Sequence, residues 1–204
     1  MIICNGWTEY VKLILNHAGH GYEYLCPISI PAKKENKVNI IDRKIVTKYP
    51  MVEWGKDRRY KAKKTGWANY AYLRWSLSGI LLHTHGLEAH IDDPDAFSHL
   101  SEVPYVVKIG TLVDIKIGNA RSGKKYTAFL TKESFRDIKA RLRDDLEHRR
   151  FDAFEKTYYK LETLPAFSGI LAQIEDIYRF LRKEIKRAKG KNIQVRRLVL
   201  RKVY

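Results

Sequence analysis

Apolar positions along this chain change their period part-way. A strand-rich first part gives way to a helix-rich second part. Residues 7–18 carry a short helical pattern that ends before Gly19. Tyr22–Ile30 has strand composition and stops at Pro31, and residues 32–37 form a polar loop. Residues 38–49 read both ways: Ile41, Ile45 and Tyr49 share a helical face, yet β-branched residues dominate. Residues 55–66 have no apolar periodicity and predict an exposed, mobile loop. Residues 69–75 and 79–85 predict a hairpin turning at Ser76-Leu77-Ser78, with a continuous helix from Trp67 to Leu82 as the competing reading. After an acidic, turn-rich stretch at 91–104, Val107, Ile109, Val113, Ile115 and Ile117 alternate along a long strand. A turn at 119–123 pairs that strand with a second at 125–130.

The period then becomes helical. Thr131 is placed as an N-cap with Glu133 in the first turn, and Phe135, Ile138, Leu142 and Leu146 form a buried face. Phe151, Phe154, Tyr158 and Leu161 repeat the spacing until Pro165 breaks it. Ser168 caps a third helix, with Leu171, Ile174, Tyr178, Leu181 and Ile185 inward and Gly190 at its end. Val195–Val203 alternates as a short basic strand. The expected class is α+β: an N-terminal antiparallel sheet with hairpins, then a part with three helices that ends in that strand. Residues 1–131 would form a mainly β domain and 132–204 a helical part, or the two would be one continuous domain.

Composition adds the compartment and the partner. Apolar residues make up 45% of the chain and charged residues 30%, as in ordinary folded proteins. No apolar run approaches the ~20 residues that span a bilayer, so no membrane role is expected. The N-terminus lacks a signal-peptide pattern. Cys4 and Cys26 make no CxxC pair, which points to a reducing cytoplasm. Net charge is +16, and it is concentrated. Residues 179–204 hold Arg179, Arg182, Lys183, Lys186, Arg187, Lys189, Lys191, Arg196, Arg197, Arg201 and Lys202 against one acid, Glu184. A second block carries Lys56, Arg58, Arg59, Lys61, Lys63 and Lys64, and Trp67, Tyr70, Tyr72 and Trp75 follow it. Arg121, Lys124 and Lys125 add a third at a turn. Clustered cations favour polyanions, and rings beside them stack on unpaired bases. The leading expectation is therefore a nucleic-acid-binding protein, for DNA or RNA, that needs no cofactor. A basic structural subunit of a ribonucleoprotein, with protein partners, is a further reading.

Candidate chemistry supplies an alternative. His83 and His85 fall on one side of a strand, around Thr84, with His90 or Glu88 nearby as a third metal ligand. This arrangement is similar to the HUH endonuclease superfamily, whose paired histidines hold a divalent metal. The resemblance implies a divalent metal, Mg or Mn, at His83 and His85, which His90 would complete. It also implies a helix-borne tyrosine, Tyr158 or Tyr159, that attacks a phosphate of single-stranded DNA. Asp114 and Lys116 resemble the Asp-x-Lys of restriction-type nucleases, with a cross-strand ion pair as the simpler account. Cys4, His17, His20 and Cys26 could together hold zinc, although their spacing matches no known finger.

Overall fold

The computed structural model describes residues 1–87, 96–110, 113–120, 126–187 and 193–202. It is an α+β protein whose chain divides into two compact units. The described residues of 1–105, with Tyr126, make the first; those of 106–120 and 127–202 make the second. No described helix is long and apolar enough to cross a membrane.

The first unit is built on a five-stranded sheet. Strands β1 (Ile2–Ile3), β2 (Tyr24–Ser29), β3 (Tyr70–Trp75), β4 (Ser78–His83) and β5 (Ser98–His99) lie in the order β1-β3-β4-β2-β5. The β3–β4 hairpin pairs Tyr72 with Leu81 and Tyr70 with His83. Its tight turn holds Ser76 at a φ of 50°, a conformation short polar residues tolerate. Both central strands are buried on both faces. Helix α1 (Trp7–Gly19) packs on one face, where Tyr10 meets Trp75. On the other face Tyr49, Met51 and Val52 pack with Tyr70 and Tyr72.

Helix α2 (Val38–Lys48) is the segment whose periodicity was two-sided. One buried polar contact accounts for the helix. Asp42, 2% exposed, accepts from Tyr72 Oη at 2.8 Å and from Arg74 Nε at 2.9 and 3.1 Å. A helix presents Asp42 on the same side as the half-buried Ile45 and Val46, which pack on the same cluster.

Residues 56–64, expected as a mobile loop, form helix α3 (Lys56–Lys64). Lys, Arg and Ala are good helix formers, so an apolar stripe is not required. Ala62 alone is buried. Arg59 pins the helix by donating to the Val52 carbonyl, and Asn69 Nδ2 donates to the Arg59 carbonyl. Gly66, at a φ of 79°, lets the chain turn back so that Leu87 N reaches the Gly66 carbonyl at 2.7 Å.

In the second unit β6 (Tyr105–Lys108), β7 (Asp114–Asn119) and β8 (Tyr126–Leu130) lie in that order. The single long strand expected over 107–117 is thus two strands, interrupted around Gly110. Helices α4 (Lys132–Glu147), α5 (Phe151–Lys160) and α6 (Ser168–Arg187) follow. Thr131 caps α4 as its sequence implies, accepting from Ser134 N at 3.2 Å.

The inward face of α6 is Ile170, Ile174, Ile177 and Leu181 rather than the stripe through Leu171 and Tyr178. Both rows have helical spacing, and a close approach to β8 selects between them. A Cβ at Gly169 would lie 2.5 Å from the Ala128 carbonyl, so only glycine fits there. Gln173 then satisfies the edge of β8, accepting from Leu130 N at 2.7 Å and donating to its carbonyl at 3.1 Å. Phe151, expected inward, is 43% exposed at the start of α5. Described residues 193–202 contain no strand beyond a bridge of Arg201 with Pro165. The expected alternating strand is instead a segment fastened to the helical unit by side chains.

Candidate nucleic-acid interface

That fastening changes what the basic C-terminus offers. Arg196 makes a two-pronged pair with Glu162, at 2.7 and 3.0 Å, and Val199 N donates to the same carboxylate at 3.1 Å. These contacts hold the Glu162 carboxyl below its ordinary range, the guanidinium first and the amide second. Arg197 pairs with Glu175 at 3.1 Å. On α6, Arg179 pairs with Asp176 and Arg187 with Glu184, each at 2.9 Å, and Arg143 of α4 also reaches Glu184 at 3.2 Å. Arg201 is exposed while its backbone bridges Leu164 and Ala166. Four of the cations expected on phosphates therefore already face carboxylates, most of them from outside the basic run.

Arg182, Lys183 and Lys186 hold no ion pair among the described residues. They are exposed on α6 and line a groove of about 530 Å³ between α4 and α6. Helix α4 contributes Phe135 and Lys139, and α6 adds Phe180. The Lys139 ammonium sits over Phe180 at 4.5 Å and over Phe135 at 5.1 Å, and the Arg143 guanidinium lies 5.0 Å from Phe180. The sequence reading places Phe135 on the buried face of its helix and assigns no role to Lys139 or Phe180. Lys139 and Phe180 lie 41 residues apart and meet only through the packing of α4 on α6, so no local signal marks them.

The second basic surface is α3. Lys56, Arg58, Lys61, Lys63 and Lys64 are exposed and Arg59 is half-buried. None of them holds an ion pair among the described residues. The aromatic neighbours differ from expectation. Tyr70 and Tyr72 are fully buried core residues and Trp75 is half-buried against Tyr10, because β3 is a central strand. The rings open to solvent are Tyr60 (60%) and Trp67 (42%). Lys64 lies 5.0 Å from the Tyr60 ring and Arg58 4.5 Å from the Trp54 ring.

The histidines and tyrosines of the nuclease alternative are placed as follows. His83, fully buried, ends β4. Its ring stacks on Tyr24 at 4.7 Å and meets Phe97 at 4.7 Å and Tyr70 at 5.0 Å, with Nδ1 2.7 Å from the Thr84 carbonyl. His85 lies beyond the strand end and is exposed, so the alternation that would set both imidazoles on one face stops between them. Tyr158 is fully buried, stacks on Phe154 and donates to the Arg196 carbonyl at 2.9 Å. Burial, with Tyr159 and Tyr178 alongside, raises its pKa. Tyr159 lies beneath the Arg196 guanidinium at 5.0 Å.

No group of three His, Cys, Asp or Glu side chains able to hold a metal occurs among the described residues. The suggested zinc set is dispersed. Cys4 is buried, and burial raises its thiol to about 11, which disfavours a thiolate ligand; Cys26 lies on β2. His17 Nδ1 is engaged by the Leu13 carbonyl at 2.8 Å and His20 Nδ1 by the Asn16 carbonyl at 2.6 Å. Asp114 caps local backbone, accepting from Ile109 N at 3.4 Å. Glu88, His90, Arg121, Lys124, Lys125, Lys189 and Lys191 lie outside the described residues. No protein-family model matches this chain, and no curated protein is significantly similar to it.

Proposed function

We propose that this protein binds nucleic acid, with the α4–α6 groove and the exposed face of α3 as its two contact surfaces. The observation that carries the reading is the groove. Lys139, Arg182, Lys183 and Lys186 line it without carboxylate partners, and Phe180 lies among them. Unpaired cations take phosphates, and a ring at the same place takes the face of a base. The combination favours single-stranded or unpaired nucleic acid, since a base inside a duplex presents no free face.

Fluorescence anisotropy with a labelled single-stranded oligonucleotide tests this. If the four groove cations each neutralise a phosphate, log K falls against log salt with a slope of about −3 from the groove alone. Replacing Lys139, Arg182 and Lys186 together by Gln should lower that slope by about 2 and weaken all sequences alike. The fold should persist, since Arg182 and Lys186 are exposed and Lys139 is only half-buried. A salt-independent affinity would end the proposal.

A further inference from the structure

A second cavity, of about 540 Å³, lies wholly within the second unit. Its volume falls inside the ~300–1,000 Å³ range of small-ligand pockets. Helix α4 lines it with Asp137, Ile138 and Arg141, and α5 with Ala153, Lys156, Thr157 and Lys160. By helical period, Asp137 and Arg141 lie roughly opposite Phe135 and Lys139 around α4. This cavity and the α4–α6 groove therefore use different sides of that helix.

The lining is aliphatic at Val113, Ile138, Ala153, Leu161 and Leu164. Ile138, Leu161 and Leu164 belong to the buried core and still border the cavity. No lining residue is aromatic, so a base gains no stacking ring here, in contrast to Phe180 of the other groove. The charged lining residues are unequal in sign. Arg141, Lys156 and Lys160 are exposed and hold no ion pair among the described residues. Asp137 is the one acid in the lining, and its carboxylate already lies 3.7 Å from Arg136 Nε. The Thr157 hydroxyl makes no hydrogen bond among the described residues, whereas Thr163 donates to the Lys160 carbonyl at 2.8 Å.

Aliphatic walls favour hydrocarbon, and the excess of cations favours an anion that accepts N–H and O–H bonds. A phosphate polymer supplies no hydrocarbon, and a neutral lipid chain supplies no charge. The lining row from Ala153 to Lys160 spans about 10 Å of α5, the length of an extended chain of about eight carbons. We propose that this cavity binds a medium-chain carboxylate, an unbranched acyl chain of about eight carbons ending in an ionised carboxyl. The chain covers the aliphatic lining, and the carboxylate is balanced by the three cations. This site does not rest on the nucleic-acid reading.

Titration calorimetry of the intact chain with straight-chain carboxylates decides it. Octanoate should bind saturably at one site, and affinity should rise about four-fold per methylene from butanoate to octanoate. Octan-1-ol keeps the chain without the charge and should bind at least about ten-fold more weakly. Arg141→Gln combined with Lys156→Gln, both at exposed positions, should weaken octanoate about ten-fold. The same pair should leave octan-1-ol binding and the melting temperature unchanged. Lys183→Gln, in the α4–α6 groove, should leave octanoate untouched. Ala153→Phe, which fills the cavity, should abolish binding of both ligands; if that variant does not fold, the double Gln variant still decides. Four results overturn the proposal. They are no saturable binding of octanoate, octan-1-ol binding as tightly as octanoate, octanoate binding unmoved by the double Gln variant, or octanoate binding retained by a folded Ala153→Phe. None of them bears on salt-dependent oligonucleotide binding, so the two readings fail separately.

Discussion

The two strongest basic runs in this protein reach solvent in different electrical states. Helix α3 carries six cations with Asp57 as its one acid, and none of the six holds an ion pair among the described residues. The C-terminal run carries more cations, yet Arg179, Arg187, Arg196 and Arg197 face Asp176, Glu184, Glu162 and Glu175. An exposed ion pair adds little to stability, but it turns a monopole into a dipole whose field falls off quickly. Counting cations along the chain therefore overstates the tail and understates α3. The comparison also separates two tasks. Arginines of the tail tie an extended segment to the turn after α5 and to α6, whereas the α3 cations face no carboxylate among the described residues. Both helices keep like charges one turn apart, Arg59 and Lys63 on α3 and Arg182 and Lys186 on α6, at a cost of about 0.2–0.5 kcal/mol per pair, which a polyanion would relieve.

Matched substitutions separate the two runs. The largest effect should come from changing Lys56, Arg58, Lys61 and Lys64 of α3 together to Gln. With one phosphate per cation, the salt slope for a single strand should fall by about 3. The matched change of Arg179, Arg187, Arg196 and Arg197 to Gln should move the slope by less than about 1. If the tail set has the larger effect, its carboxylate pairs open on binding and the comparison fails.

Next in size is Phe180→Ala. Loss of a stacking ring should weaken single-strand binding by about 1–3 kcal/mol while leaving the salt slope unchanged. An unchanged affinity in anisotropy titrations would make Phe180 a packing residue beneath Lys139.

The smallest effect concerns acid. The folded carboxyl of Glu162 titrates below its unfolded value near 4.3, so its hold on the tail is complete above about pH 4.3. That hold is lost as pH falls through the lower folded value. Amide exchange at Val199, whose N–H donates to Glu162, should rise in that window, and Glu162→Gln should raise it already at neutral pH. Exchange at Val199 that does not respond to either change would mean that the tail is held by other contacts.

Much of the local architecture is readable from the residues because its causes are local. Thr131 caps its helix through a contact three residues away, and the hairpin expected between residues 69–75 and 79–85 forms as β3 and β4, with Ser78 in the strand and the turn shortened to Ser76-Leu77. Helix α3 escaped that reading because its helix rests on propensity and on ties to Val52 and Asn69, not on an apolar stripe. On α6 the sequence stripe is right at Ile174 and Leu181 but takes Leu171 and Tyr178 in place of Ile170 and Ile177, because both rows have helical spacing; the approach of Gly169 to Ala128 chooses between them.

The binding surfaces divide in the same way. That two dense cation runs exist, and that one precedes a run of aromatic residues, follows from the order of amino acids alone. Which cations are free does not. Arg196 is neutralised by Glu162 and Arg197 by Glu175, while Lys139 joins Phe180, across separations of 34, 22 and 41 residues. The same holds for His83, which alternation presents as a ligand and the sheet encloses among Tyr24, Tyr70 and Phe97. Charge and period are properties of neighbours along the chain. Pairing and burial are properties of neighbours in space, and only the packed protein assigns those.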